Sequence, residues 1–180
     1  MKRILFLLSI VTAVFTSCQK DVYQSPLTPE SDSFMPLQIG NYWRVDSQNF
    51  SEIQDTVRIK GQLYYKMFSL TGGDAMSEDY LRIDANNNLI SSSPRFPEIQ
   101  YIRARFGANV GDTFQTLEDQ SYNDYKVSVV EKSPTKMTFS FDMIYHPNFK
   151  GHPHTVTYIK GLGLQGGWKE IKINGKVYKQ

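Results

Sequence analysis

The sequence is poor in cysteine and in net charge. Cys18 is the single cysteine among 180 residues, so the chain can form neither an internal disulfide nor a cysteine cluster for metal. Twenty Lys and Arg oppose eighteen Asp and Glu, and Lys2 and Arg3 supply the whole excess of two. Nucleic acid and anionic lipid surfaces require a basic footprint. The formally neutral chain after those two residues therefore predicts no nucleic-acid partner.

Helical periodicity and catalytic motifs are also missing. No segment repeats apolar residues at 3.6 positions between helix caps, and neither G-x-S-x-G nor H-E-x-x-H occurs. We therefore assign no catalytic residue and expect no cofactor. The carboxylates are scattered along the chain, so a glycosidase pair assembled by the fold stays open as an alternative.

The first eighteen residues have the layout of a bacterial lipoprotein signal. Lys2 and Arg3 precede an apolar run over residues 4–15, which is too short to span a membrane, and Thr16 and Ser17 then lead to Cys18. This arrangement predicts cleavage before Cys18 and acyl chains such as palmitate on that residue. The alternative is an ordinary secretory signal with an incidental cysteine. A lipid anchor would hold the chain at the membrane, because each buried methylene contributes about 0.8 kcal/mol.

The remaining sequence divides into a tether and one domain. Residues 18–33 are polar and contain Pro26 and Pro29, and such a segment cannot bury enough apolar surface to fold alone. We therefore predict a signal peptide over residues 1–17, a lipidated tether over 18–33 and a single domain over 34–180.

Apolar and polar residues alternate through the domain, which predicts antiparallel strands. Residues 136–143 place every odd residue on an apolar face, and Ile53, Val57 and Ile59 alternate with polar neighbours. Turn signals separate such segments, the strongest being Asn174-Gly175. The predicted fold is all-β, an antiparallel meander of about ten strands that forms a calycin-like open barrel or a β-sandwich.

Two segments imitate functional motifs. Residues 161–166 match G-x-G-x-x-G, but the residues that follow alternate as a strand, whereas a dinucleotide site needs a helix there. We predict a bend between two strands. Residues 84–88 imitate half of a calcium loop, yet the positions of the required glycine and glutamate hold Leu89 and Arg95. We predict a hairpin turn.

All three histidines lie within nine positions: His146, His152 and His154. Three imidazoles with an open fourth position could hold zinc or copper, which is the weaker alternative. Matching of apolar faces would place Tyr145 opposite Val156, with His146 toward solvent and His154 on the face of Val156 and Tyr158. This register favours a polar hairpin loop with incidental histidines.

Four other residues are weak candidates for ligand binding. Arg103 and Arg105 alternate on one face with Tyr101 and could line a ligand mouth, or their stems could cover aromatic rings on a solvated strand. We predict that Trp43 packs against the last hairpin and closes the sheet.

Two segments resemble a known family. Residues 36–43 have the pattern P-L-x-x-G-N-Y-W and residues 158–164 the pattern Y-x-x-G-x-G-L. Both are similar to segments of Bacteroidetes-type envelope lipoproteins of uncharacterised function. The resemblance implies a β-rich domain at the cell envelope, on an outer-membrane lipoprotein that faces the periplasm or the surface. It supplies no catalytic residues.

These observations favour a non-catalytic, lipid-anchored protein that binds a small molecule, a glycan or a protein partner. One alternative is a structural or assembly component of an envelope complex. The other is a metal-dependent hydrolase built on His146, His152 and His154. The binding hypothesis predicts a deep apolar pocket.

Overall fold

The computed structural model describes residues 32–179 as an all-β fold. Cys18, the signal peptide and most of the predicted tether lie outside the described residues. Thirteen strands occur in residues 32–179: β1 Tyr42–Asp46, β2 Asn49–Ile59, β3 Gln62–Thr71, β4 Ala75–Ile83, β5 Asn88–Ser93, β6 Phe96–Arg105, β7 Thr113–Gln115, β8 Lys126–Lys132, β9 Lys136–Asp142, β10 His154–Ile159, β11 Gly163–Leu164, β12 Glu170–Ile173 and β13 Lys176–Lys179. In the same range no helix is long and apolar enough to cross a membrane.

The strands form two antiparallel sheets. The larger has the order β13-β12-β1-β2-β3-β4-β5-β6 and the smaller the order β11-β10-β9-β8-β7. Neither sheet closes into a barrel, and the arrangement is consistent with an open β-sandwich. The all-β antiparallel prediction is confirmed. The count of about ten was low in part because β7 and β11 are only three and two residues long, too short for an alternating pattern to be visible.

Three segments that were predicted as turns or bends connect consecutive strands. Asn174 and Gly175 have φ values of 51° and 85° between β12 and β13, as a type I′ hairpin requires. The Asp84 carboxylate accepts the backbone N–H groups of Asn86 and Asn88 at 2.9 and 2.8 Å, which makes the calcium-like segment a turn between β4 and β5. The first two residues of the glycine-rich segment, Gly161 and Leu162, lie in the predicted bend between β10 and β11, and the next two form β11 itself.

One prediction about β2 is wrong. Ile53 was expected to share a face with Val57 and Ile59, but the pairing of β2 with β3 shifts register between Ile53 and Asp55. The extra residue turns the rest of the strand over, because side chains alternate between the two faces. Ile53 packs in the main core, whereas Val57 and Ile59 join a second apolar cluster with Tyr64, Tyr80 and Ile90 on the other face.

The larger sheet also curls at this end. Lys60, in the turn between β2 and β3, forms an ion pair with Glu98 on β6, although β3, β4 and β5 lie between them in the sheet. The curl covers the second cluster, in which Tyr64 is fully buried. The larger sheet thus contributes side chains to two apolar clusters. The bulge in β2 directs Ile53 to one cluster and Val57 and Ile59 to the other.

The main core lies between the two sheets. Ile53, Ala104, Val127, Met137 and Phe139 are each fully buried there. On β9 the odd residues Met137, Phe139 and Phe141 are buried, as the alternation predicted, and Thr138 between them is buried as well. Burial of such side chains supplies most of the favourable free energy of folding, at roughly 25 cal/mol per Å² of apolar surface.

Trp43 anchors the first strand in this core. β1 pairs with β12, and Trp43 lies opposite Ile171, so the predicted packing of Trp43 beside the last hairpin is confirmed. Its indole N–H donates to the Leu162 carbonyl at 2.5 Å, and the side chain is 2% exposed. The same ring excludes a side chain at position 163, because a Cβ on Gly163 would lie 2.9 Å from Trp43 Cζ2.

A polar cluster joins β1, β12 and β13 at the surface. The Tyr42 hydroxyl donates to Glu170 Oε1 at 2.5 Å, and Lys179 and Arg44 lie 3.3 and 3.5 Å from the same carboxylate. The hydrogen bond from Tyr42, helped by these cations, holds the pKa of Glu170 below its ordinary value of 4.5. Burial, together with the bond to Glu170, raises the pKa of Tyr42 to about 12.

The free energy of unfolding is expected to fall at both ends of the pH range because of the Tyr42–Glu170 hydrogen bond. The pKa of Glu170 is lower in the folded state, so its contribution is present above pH 4.5 and is lost as the pH falls through the folded pKa. The pKa of Tyr42 is higher in the folded state, so its contribution is present below pH 10 and is lost between pH 10 and about 12. Urea midpoints measured across pH should show that Glu170→Gln flattens the acid limb. Glu98→Gln, on an exposed ion pair, is the control and should leave that limb unchanged.

Candidate functional site

Arg103 lies at a bulge on β6 that directs it toward the gap between the sheets. Leu89 pairs with Ala104 and Ile90 with Ile102, so Arg103 is the extra residue. Its Nε donates to Ser91 Oγ at 2.9 Å, and its Nη2 donates to Asp79 Oδ1 at 2.9 Å. These partners come from β5 and β4, the next two strands of the same sheet. The guanidinium group is therefore held in one orientation while its side chain remains 46% exposed.

The smaller sheet supplies the opposite wall of a cavity of about 340 Å³. Its lining is mostly aromatic and aliphatic: Tyr101 and Arg103 come from the larger sheet, and Thr116, Tyr125, Phe141, His154, Val156, Tyr158 and Leu164 from the smaller sheet and the segment between β7 and β8. This volume lies at the low end of the range that small-molecule sites occupy, about 300–1,000 Å³. We call this cavity and the two that adjoin it at Arg103 the Arg103 cleft.

The adjoining cavities extend the cleft along the larger sheet. One, of about 220 Å³, is lined by consecutive serines (Ser91, Ser92 and Ser93) and by Tyr101 and Arg103 among others. The other, of about 140 Å³, is mostly apolar, with Arg103 and Tyr158 among its lining residues. Arg103 is the residue that all three cavities share. The cleft thus has an aromatic part and a hydroxyl-rich part, with Arg103 and its partner Asp79 where they meet.

A buried carboxylate shapes the wall that contains Thr116. Asp124 is fully buried, and its oxygens accept the backbone N–H groups of Leu117 and Gln120 at 2.9 and 3.2 Å and the Thr116 hydroxyl at 3.2 Å. Thr116 Oγ1 in turn accepts the Tyr125 N–H at 2.9 Å. These bonds fix the segment between β7 and β8, which carries two of the cleft residues.

Tyr158 is a neutral group at the floor of the cleft. Burial raises its pKa to about 12, with the opposing influence of Arg103 smaller than the effect of burial. Its phenol therefore stays protonated at physiological pH. A protonated phenol can both donate and accept a hydrogen bond.

Two of the four candidate ligand-binding residues, Tyr101 and Arg103, lie together in the cleft. Trp43 lies in the core and is absent from the lining, so its role is packing. Arg105 is also absent, because its guanidinium covers the Phe114 ring at 4.9 Å and reaches Glu118 at 3.9 Å. The bulge at Arg103 breaks the alternation on which the grouping of Arg103 with Arg105 depended.

The three histidines do not form a metal site. His146 packs on Phe149 and Tyr122, with ring centroids 4.6 and 5.5 Å apart, whereas His154 stacks on Phe141 in the cleft at 5.4 Å. Within residues 32–179 no three His, Cys, Asp or Glu side chains are grouped to hold a metal ion. Of the three, only His154 lines the Arg103 cleft.

The predicted register near these histidines is corrected in part. Odd residues of β9 do pair with even residues of β10, and His154 shares the cleft with Val156 and Tyr158 as expected. The strand ends at Asp142, however, and Val156 lies opposite Phe139 rather than Tyr145. Turns rather than strand occupy residues 144–151, with Gly151 N–H donating to Asp142 Oδ1 at 2.9 Å. The connection is therefore longer than the alternation suggested.

A cavity of about 610 Å³, larger than any one of the three that form the Arg103 cleft, lies elsewhere on the domain. The N-terminal segment over residues 33–38 forms one wall, and Gln62, Arg82, Asp84 and Asn174 contribute to the remainder. This cavity is more open and more polar than the Arg103 cleft, and none of the candidate residues lines it. The Arg103 cleft, with aromatic residues on both sheets and a fixed guanidinium, has more of the features of a binding site.

Sequence reasoning missed most of the opposite wall. The alternating pattern marks Phe141 and Tyr158 only as apolar strand positions, Tyr125 is not among the candidate residues, and Asp79 is one of the scattered carboxylates. Asp79 and Arg103 are 24 positions apart, so only the pairing of β4 with β5 and of β5 with β6 could have joined them.

Comparison with known proteins adds no relative to this description. The chain matches no family model, no curated protein and no solved structure.

Proposed function

We propose that this protein is a non-catalytic binding protein of the cell envelope and that its ligand occupies the Arg103 cleft. The observation that carries the proposal is the cavity of about 340 Å³ in which Tyr101 and Arg103 of one sheet lie with Tyr125, Phe141 and Tyr158 of the other side. An apolar cavity with a few fixed polar groups is the usual form of a small-molecule site. The two carboxylates in the cleft, Asp79 and Glu78, are each paired with a cation, Arg103 and Lys66 respectively, which favours binding over catalysis.

The proposed location rests on the signal that ends at Cys18. Acyl chains on Cys18 would hold the domain at the outer membrane through the tether, and the ligand would then be captured outside the cytoplasm. Metabolic labelling with a palmitate analogue tests this part. We expect label on the wild-type protein and none on Cys18→Ala, and an unlabelled wild type would contradict the anchor.

Binding in the cleft can be tested with the neutral fluorescent probe N-phenyl-1-naphthylamine. Val156 lines the cavity and is half-buried, so Val156→Trp should fill it and weaken probe binding at least tenfold. The matched control is Val130→Trp, at an exposed position outside the cavity, which should bind the probe as the wild type does. Urea unfolding of both variants checks that they fold. Unsaturable binding, or binding that Val156→Trp leaves intact, would show that the cleft is not the site.

A structural or assembly role is the second candidate function, and the exposed apolar side chains on the edge strand β6 favour it. β6 ends the larger sheet, and Phe96 and Ile99 on it are 56% and 44% exposed. Exposed edge strands can pair with another chain. Sedimentation velocity should then show an assembly that Ile99→Lys dissolves, whereas a monomer at all concentrations would exclude self-assembly through β6. Both side chains also line the serine-rich part of the cleft, so the binding proposal accounts for their exposure as well.

A further inference from the structure

The charges in the Arg103 cleft are compensated. Arg103 is paired with Asp79 at 2.9 Å, and Glu78, which lines the serine-rich part, is paired with Lys66 at 2.6 Å. An anionic ligand would therefore have to compete with Asp79 for Arg103 and would meet a second carboxylate nearby. A strongly charged ligand of either sign gains little from such a site.

The polar groups of the serine-rich part suit hydroxyl groups. Ser91, Ser92 and Ser93 lie in one cavity, where Ser91 accepts from Arg103, Ser92 donates to the Ile99 carbonyl at 2.8 Å and Ser93 accepts the Arg95 N–H at 3.2 Å. A serine hydroxyl can donate one hydrogen bond and accept two, so each retains capacity for a ligand. The bonds to Ser91 and Asp79 use Nε and Nη2 of Arg103, whereas Nη1 takes part in neither. A fixed donor next to a fixed carboxylate acceptor matches the paired hydroxyls of a sugar, each of which can give one hydrogen bond and receive another.

The aromatic residues of the cleft suit the apolar face of a sugar ring. Tyr101 and Tyr125 are half-buried and come from opposite walls of the cleft. A pyranose ring has a face of C–H groups and an edge of hydroxyls, so it needs apolar surface and hydrogen-bonding groups in the same place. Tyrosine provides both, with an apolar ring and a polar tip.

The adjoining cavities of the cleft have room for more than one sugar ring. The cavities of about 340 and 220 Å³ share Tyr101 and Arg103, and the smaller continues to Phe96 at the start of β6. We infer that the Arg103 cleft binds a neutral oligosaccharide of at least two pyranose rings, with the Asp79–Arg103 pair hydrogen-bonded to neighbouring hydroxyls and Tyr101 at the junction of the rings. This inference rests on the proposed function and specifies its ligand class.

Calorimetric titration of the full chain with hexasaccharides tests the inference. Neutral hexamers of glucose, mannose and xylose are compared with hexagalacturonate, which carries a carboxylate on each ring. We expect a neutral hexamer to bind at least tenfold more tightly than hexagalacturonate and than its own monomer. Tyr101→Ala should weaken that binding at least tenfold. Tyr122→Ala, at an exposed tyrosine outside the cleft, is the matched control and should not change it.

Asp79→Asn gives a readout that a purely structural role would not produce. Without the carboxylate the charge of Arg103 is uncompensated, so binding of the neutral hexamer should weaken while binding of hexagalacturonate strengthens at least fivefold. Glu98→Asn removes an exposed carboxylate outside the cleft lining and should change neither affinity.

Each other result contradicts the inference in a distinguishable way. If N-phenyl-1-naphthylamine binds and Val156→Trp blocks it while no neutral hexamer binds, the ligand class is wrong and the binding cleft stands. If hexagalacturonate binds the wild type more tightly than the neutral hexamers, the ligand is an anion. If neither the probe nor any saccharide binds, the inference and the proposed function are both wrong.

Discussion

Trp43→Ala is expected to destabilise the domain by about 4–5 kcal/mol, the largest effect of any single substitution proposed. Removing a buried Trp side chain costs about 3–5 kcal/mol through lost transfer free energy and the cavity left behind. Trp43 is 2% exposed, and its loss also leaves the Leu162 carbonyl without its indole donor. Because whole domains are stable by only about 5–15 kcal/mol, the variant should be largely unfolded at physiological temperature. Urea or thermal unfolding followed by circular dichroism measures the change.

Two further variants separate packing from hydrogen bonding at this position. Trp168 is half-buried and donates its indole N–H to the Leu164 carbonyl at 2.8 Å, so Trp168→Ala is a matched control with an expected loss of about 1–2 kcal/mol. Trp43→Phe keeps an aromatic ring and should lose about 2 kcal/mol. Equal losses for the two Trp-to-Ala variants would show that Trp43 does not anchor the core.

Gly163→Ala is expected to cost about 3 kcal/mol, although it adds a single methyl group. Gly163 has a φ of +89°, which is unfavourable for any residue with a Cβ, and the new Cβ would lie 2.9 Å from Trp43 Cζ2. Backbone strain of this kind costs about 1–3 kcal/mol, and overpacking a filled core costs a similar amount. The same unfolding measurement applies.

Gly61→Ala isolates the backbone part of that cost. Gly61 has a φ of +79° in the turn between β2 and β3, but no atom lies within 4 Å of the position of its Cβ. The substitution should cost about 1 kcal/mol through the positive φ alone. The contact with Trp43 would be unimportant if both glycine variants lost the same stability.

The fold class was predictable because its causes are local. The apolar residues of β9 and the turn at Asn174-Gly175 depend on near neighbours, and both are confirmed, although Thr138 on the predicted polar face is buried too. Tyr101 and Arg103 could be selected from the sequence as a polar and aromatic pair on one strand, and they do lie in one cleft. The anchor at Cys18 and the binding function stay predictions.

Most of the wrong predictions lie at β-bulges. There one extra residue reverses which face of the sheet the following side chains occupy. The bulge after Ile53 moved Val57 and Ile59 into a second cluster, and the bulge at Arg103 separated it from Arg105. A bulge depends on how two strands pair, so an alternating pattern in one strand does not reveal it. The prediction for residues 144–151 was wrong as well, because this segment forms turns and β9 ends earlier than the alternating pattern predicted. The opposite wall of the cleft depends on the packing of two sheets, which no single strand encodes.

The position of β1 has a consequence for the order of events as the chain is made. β1 lies between β2 and β12, and its bond from Tyr42 to Glu170 spans 128 positions. A ribosome or an export channel releases the first strand long before its second neighbour, so β1 presents an unpaired edge throughout that interval. Strand pairing over such separations is slow, and an open edge is the place where chains pair wrongly with one another. The larger sheet is therefore expected to be complete only after residues 170–173 have emerged. Until then the protein depends on other molecules that cover the unpaired edge of β1.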